Sequence, residues 1–184
     1  FYNPATYGFN ELEYTVFSQS KDKEWNVSAD AAREFALSNG SLTVQGGVKS
    51  RWRTKAYDLD SLVYGGYDSD YSLADVMGGQ SYRIDDLLPL PSHKGPTDFF
   101  HQNRDKFELD ELATTIDSAS SDYSVDEDIL AAYLLGRYDN SQLRVIGGLR
   151  MERTKNDITG FIVASDGDVA TVSPVNFSRS YTDW

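Results

Sequence analysis

The sequence predicts a mainly β protein of long antiparallel strands, broken by one long acidic loop segment that contains a short helix. Three observations predict it. Residues 41–55 alternate strictly, with Leu42, Val44, Gly46, Val48 and Trp52 on one parity and Gln45, Lys49, Arg51, Arg53 and Lys55 on the other, the period of a strand with one apolar and one polar face. The charge is segregated: residues 1–56, 57–128 and 129–184 carry formal charges of +1, −13 and 0. Short polar connections also alternate with long ones along the chain, as the two ends of a membrane barrel do.

Taken in order, residues 11–19 place Leu12, Tyr14 and Val16 on one side, and residues 25–35 place Trp25, Val27, Ala29 and Ala31 opposite Asn26, Ser28 and Asp30. The polar pentapeptide 20–24 is expected to be a tight connection between two strands. Ser38-Asn39-Gly40-Ser41 reads as a turn, because Asn-Gly readily takes positive φ. The strand over 41–55 would run roughly 50 Å at ~3.3 Å per residue, far beyond the usual five or six residues of about 20 Å. Residues 57–122 are expected to be loop, with Pro89, Pro91, Pro96 and Gly65-Gly66 as breakers and a helix over 105–117 carrying Phe107, Leu109, Leu112 and Ile116. A second long strand covers 142–154, joined to 128–138 by a hairpin turn at 139–141, and a medium loop covers 157–175.

Alternation alone fits a membrane barrel and a two-sheet sandwich equally. Two details favour the barrel. Four bases at successive polar-parity positions, Lys49, Arg51, Arg53 and Lys55, suit a wet lumen, and Trp52 and Tyr138 stand near strand ends, where an interfacial aromatic girdle lies.

Other classes are disfavoured by composition. With 29 acids against 17 bases the chain is poorly suited to nucleic acid. Without cysteine it has no disulfide framework, thiolate metal site or Cys nucleophile. His93 and His101 lack ligand spacing. The longest apolar run, residues 129–135, is far below the ~18 to 20 residues of a membrane-crossing helix. Phe1-Tyr2-Asn3-Pro4 carries neither an initiating Met nor a signal-peptide pattern, and the expectation is an internal piece of something larger.

Residues 122–134 (Asp-Tyr-Ser-Val-Asp-Glu-Asp-Ile-Leu-Ala-Ala-Tyr-Leu), 143–154 (Leu-Arg-Val-Ile-Gly-Gly-Leu-Arg-Met-Glu-Arg-Thr) and the closing Tyr181-Thr182-Asp183-Trp184 resemble segments of TonB-dependent outer-membrane receptors, specifically the branch common in Caulobacter, Xanthomonas and sphingomonads. The first is similar to the family strand in which an acid precedes an Ala-Tyr pair. The second is similar to its Gly-Val-Arg-x-Glu-x-Thr strand, with Leu149 in the Val place. Residues 44–51 look like an earlier strand of the same barrel. The resemblance implies barrel strands in 1–56, a long acidic extracellular loop region and the start of the next strand in 57–128, and a barrel hairpin, medium loop and start of a further strand in 129–184. It implies a bacterial outer-membrane location and uptake of a scarce extracellular nutrient, an oligosaccharide more than a ferric siderophore. Outer-membrane lipid would surround the strands, and TonB would act through parts absent from this chain. The plug, the TonB box and the terminal aromatic strand of the family are missing here, and about six strands stand against its roughly twenty-two.

The candidate substrate-binding residues are Tyr64, Tyr67, Asp68, Asp70 and Tyr71. These tyrosines, with Tyr57 and Tyr82, are rigid amphipathic rings that either stack on sugars or pack the loop's own small core. Asp58-x-Asp60 and Asp68-x-Asp70 lack the EF-hand order and read as a solvated acidic loop. Glu108 with Glu111, or Asp85 with Asp86, are the carboxylate pairs a glycosidase would need, but such pairs arise by chance in so acidic a stretch. The expectation is a non-enzyme with no catalytic residues, no metal and no cofactor. A secreted carbohydrate-binding sandwich and a sugar hydrolase are the competing readings. The apolar stripe Leu42, Val44, Val48, Leu143, Val145 and Leu149 is expected to be hidden under 57–128 or against a second copy, through edge pairing or strand exchange.

Overall fold

The computed structural model describes residues 2–79, 84, 89–167 and 169–184. In chain order the elements are β1 (Leu12–Leu37), β2 (Gly40–Tyr67), α1 (Gly95–Gln102), β3 (Phe107–Leu109), α2 (Glu111–Ser121), β4 (Tyr123–Asp139), β5 (Arg144–Ser165) and β6 (Ala170–Asp183). Single 3-10 turns lie at Pro4–Thr6, Leu73–Val76 and Arg104–Lys106. All six strands belong to one sheet in the order β1-β2-β4-β5-β6, with the short β3 added beside β2. Because β1 and β6 end that order, the sheet is not closed into a barrel.

The antiparallel register of β2 with β4 is unbroken from Ser41↔Asp139 to Tyr57↔Tyr123, and that of β4 with β5 from Asp139↔Arg144 to Ser124↔Thr159. Since side chains alternate between faces, these pairings sort the residues into two sets. One face carries the rows Leu42, Tyr138, Val145; Gly46, Leu134, Leu149; and Val48, Ala132, Met151. The other carries Thr43, Arg137, Ile146; Gly47, Tyr133, Arg150; and Arg53, Glu127, Asn156. The apolar parity read from 41–55 and from 142–154 therefore lies on a single face.

Several boundaries differ from expectation. Residues 20–24 do not turn: β1 runs through them. Although Ser20 and Asp22 are turn formers, the Asp22 carboxylate is engaged by the neighbouring strand, accepting hydrogen bonds of 2.9 and 2.5 Å from Arg53 of β2. The turn at 38–41 is present, with Gly40 at φ +142°, a conformation that strains any side chain. The hairpin predicted at 139–141 is built one to two residues later. Asn140 Oδ1 accepts from the backbone N–H groups of Gln142 and Leu143 at 2.8 and 2.7 Å, and its own N–H donates to the Leu143 carbonyl at 2.9 Å. Residues 57–67 and most of 157–175 are strand rather than loop. The helix expected over 105–117 begins only at Glu111, its first residues forming a 3-10 turn and β3.

The chain divides into two compact units. One comprises residues 19–58, 120–162 and 172–184, a sheet whose buried side chains among the described residues are only Ala131 and Thr154. The other comprises residues 1–18, 59–119 and 163–171, and it holds the core: Tyr64, Phe100 and Phe107 are buried, with Phe9, Leu12, Tyr14, Tyr67, Tyr71 and Phe99 packed on them. In this second unit α2 is bound to β2 through its own side chains. Thr114 Oγ1 accepts from Val63 N–H at 2.9 Å, and Ser118 Oγ both accepts from Ser61 N–H and donates to the Ser61 carbonyl at 3.1 Å. Within the single chain, Val48, Leu143, Val145 and Leu149 of the apolar stripe are 52 to 79% exposed, and Leu42 and Val44 are half-buried.

Candidate functional site

The three tyrosines singled out from the sequence meet in the aromatic core. Tyr64 is 5% exposed, its ring edge-on to Phe100 at 5.1 Å. Tyr67 lies 4.7 Å from Phe107, and Tyr71 stacks on Phe99 at 4.2 Å with the rings 4° from parallel. Burial, with the charge of Asp75, pushes the Tyr71 phenol above its ordinary value. Asp68 and Asp70 are exposed just past the end of β2, where Asp68 N–H donates to the Lys106 carbonyl at 2.9 Å. The structure thus brings the rings together and leaves the two carboxylates in solvent. Tyr57 belongs to the sheet, stacked on Tyr123 at 6.2 Å, and Tyr82 lies outside the described residues.

Sequence reasoning missed the partners of these rings. Phe9 lies 5.4 Å from both Tyr71 and Phe107, and Phe99 and Phe100 come from α1. The Gly95-Pro96 start of that helix was the available signal, since Pro is favoured in the first helical turn.

Of the carboxylate pairs, Glu108 and Glu111 share an open cleft of about 620 Å³ with Asp110, Gly65 and Gly66. Asp110 is committed to folding, because its carboxylate accepts from Ala113 N–H at 2.8 Å at the start of α2. Asp85 and Asp86 lie outside the described residues. Among the described residues no three Asp, Glu or His side chains converge on a cation position.

The sheet unit builds its own polar network. Gln45 Nε2 donates to Tyr133 Oη at 2.8 Å, and Tyr133 Oη donates to Asp30 Oδ1 at 2.6 Å. Tyr133 of β4 therefore reaches across β2 to β1, and it passes over Gly47, where a Cβ would lie 2.6 Å from its ring. Arg51 pairs with Glu127 at 2.6 Å. Two of the four successive bases of β2 are thus tied to acids on neighbouring strands.

The chain matches no protein-family model, and no curated protein matches it. No helix among the described residues is long and apolar enough to cross a membrane, which says nothing of crossing by strands.

Proposed function

We propose that this chain is a barrel and extracellular-loop segment of a TonB-dependent outer-membrane receptor, which binds and imports a scarce nutrient, an oligosaccharide ahead of a ferric siderophore. One observation carries the reading: the registered rows from Leu42, Tyr138, Val145 to Val48, Ala132, Met151 form an uncharged, mostly apolar band on one face, with Tyr138 at one end, and charge returns beyond the other end in the rows Ser50, Leu130, Arg153 and Trp52, Asp128, Lys155. Leu42 to Val48 covers roughly 20 Å of strand at ~3.3 Å per residue, or roughly 15 Å once tilted as membrane strands are, the central part of a lipid-facing apolar belt about 25 Å tall. Leu134, Leu143 and Leu149 in or beside this band are 54 to 79% exposed, and water is a poor medium for it.

In this reading lipid covers the band, the opposite face with Asp30, Arg51, Tyr133 and Glu127 borders the wet lumen, and the turns at Ser38-Asn39 and Asn140 lie on the periplasmic side. Transport is a property of the whole receptor, with TonB acting through parts outside this chain. A carbohydrate-binding sandwich would need a second sheet over the apolar face, whereas the six described strands make one sheet. The test is fractionation of the full-length gene product in a Gram-negative host. Recovery in the outer membrane, with heat-modifiable migration on a denaturing gel, is the expected result; recovery as a soluble protein overturns the proposal.

A further inference from the structure

The face opposite the apolar band is mostly polar, and one row of it departs from that character. Lys55, Val125 and Ile158 are paired directly across β2, β4 and β5. The next strand extends the row. The Thr159 hydroxyl donates to Asn176 and the Ser178 hydroxyl to Asp157, so Asn176 and Ser178 share the band face with them. Phe177, between the two, therefore takes the opposite face, beside Ile158. Across four strands the row reads Lys55, Val125, Ile158, Phe177, a cation followed by three apolar side chains over roughly 14 Å at ~4.8 Å per strand.

Single exposed apolar side chains are ordinary on a protein surface, whereas a contiguous run of them marks a place where something apolar docks. Ile158 and Phe177 are 37 and 58% exposed, and Val125 is half-buried. The charged end of the row opens on a cavity of about 200 Å³ lined by Arg53, Lys55, Tyr123, Val125 and Glu127, with the Tyr123 ring stacked on Tyr57. Arg53 is bound to Asp22 and Glu127 to Arg51, so those two charges are turned to other partners. The exposed Lys55 stands at the head of the apolar row.

We infer that this row is a binding site for a single-ring aryl alkanoate, its carboxylate on the Lys55 ammonium, its chain over Val125 and its ring against Ile158 and Phe177. A carboxylate matches this head because a charge-assisted hydrogen bond to an ammonium is roughly twice as strong as a neutral one. A planar ring matches a flat sheet face that ends in the Phe177 ring. The cavity is smaller than the about 300–1,000 Å³ of drug-sized pockets, which fits one ring. The site goes beyond the receptor reading and does not require it, since strand register alone builds the row.

The 184-residue chain in detergent micelles is titrated with phenylbutanoate, with butanoate as the probe lacking the ring and phenylbutylamine as the probe of opposite charge. Binding is read by calorimetry against protein-free micelles and by saturation transfer to the ligand protons, with circular dichroism as the folding control. Phenylbutanoate is expected to bind at least about tenfold more tightly than either comparator, one decade of affinity. Lys55→Glu should reverse the preference, so that the amine binds more tightly than the acid, and Lys55→Arg should keep it. Phe177→Ser should weaken the acid severalfold, while Phe177→Tyr retains the ring contact. If Lys55→Glu fails to fold, Lys55→Gln takes its place and should remove the preference for the acid. No binding of phenylbutanoate, equal binding of the amine or of butanoate, or unchanged binding by either folded variant, at Lys55 or Phe177→Ser, overturns the inference. Fractionation bears on the receptor alone: phenylbutanoate binding by a protein found soluble keeps this site and removes the receptor, and outer-membrane recovery without that binding does the reverse.

Discussion

Two residues on the polar face show how the sheet fixes its own alignment. Gly47 lies where Tyr133 crosses β2 to reach Asp30, and any larger side chain must push aside both the Asp30 carboxylate, 2.1 Å from where its Cβ would lie, and that ring. Gly47→Val is expected to cost about 1–3 kcal/mol, the usual range for overpacking, measured as the shift in a denaturant midpoint. In a background with both Tyr133→Ala and Asp30→Ala, where the two obstructing groups are absent, the same substitution should cost less; an equal cost in both backgrounds would place the strain elsewhere. The Asp22 and Arg53 pair acts through charge. Hydrogen bonds from Arg53 hold the Asp22 carboxyl below the ordinary range, despite the opposing effect of desolvation. Because the folded value is the lower one, the pair's contribution is complete above the ordinary carboxylate range and is lost as pH falls through the folded value. Amides 20–24 should therefore exchange faster with solvent, after correction for intrinsic rates, below about pH 4, and Arg53→Gln should remove this pH dependence. Both side chains are exposed enough that salt weakens the effect as well.

At the scale of elements, α2 does for β2 what a neighbouring strand would do. Thr114 and Ser118 are one helical turn apart, about 6 Å at 1.5 Å per residue, and Ser61 and Val63 are two strand residues apart, about 6.6 Å, so two hydroxyls meet two backbone groups in register. Ser61 and Val63 are buried, and a donor stripped of its partner there keeps its desolvation cost. Thr114→Val and Ser118→Ala should each lower stability by about 1–3 kcal/mol, read by thermal unfolding; Thr115→Val on the same helix, whose hydroxyl bonds to the Glu111 carbonyl of that helix, is the matched control. This pairing was invisible in the sequence, because a Thr and a Ser four apart carry no signal of what they face. The strands over 41–55 and 142–154 were legible because one parity is apolar and the other polar. Residues 57–67 and 158–164 were not, since Leu62, Val63 and Tyr64, and then Phe161, Ile162 and Val163, are adjacent and erase the period of two. The candidate site was half legible for a similar reason. Tyr64, Tyr67 and Tyr71 do share a cluster, but their facing is set by Phe9, Phe99 and Phe107, which no local pattern connects to them.

For the whole molecule, the decisive contrast is between the two faces of the sheet at two exposed positions. Leu149 is 79% exposed and lies in the Gly46, Leu134, Leu149 row, midway along the apolar band; Ile146 is 57% exposed three residues earlier on the same strand, facing the other way beside Arg137. In water the two positions are equivalent surface sites, and an Arg at either would be tolerated. In a bilayer they differ sharply. An Arg at the lipid-facing midplane costs about 2–4 kcal/mol, while one facing the lumen meets water. Leu149→Arg in the full-length protein should therefore reduce the heat-modifiable, outer-membrane-assembled fraction severalfold, and Ile146→Arg should leave it close to that of the unsubstituted protein. The same comparison in the isolated chain adds a second readout. Leu149→Arg should lessen its self-association in dilute buffer, because the charge interrupts the apolar face through which open sheets stick together. Equal assembly of the two variants would mean that both faces meet water in the mature protein. Arg at Leu149 would then be an ordinary surface substitution, and the rows from Leu42 to Val48 would face water instead of lipid.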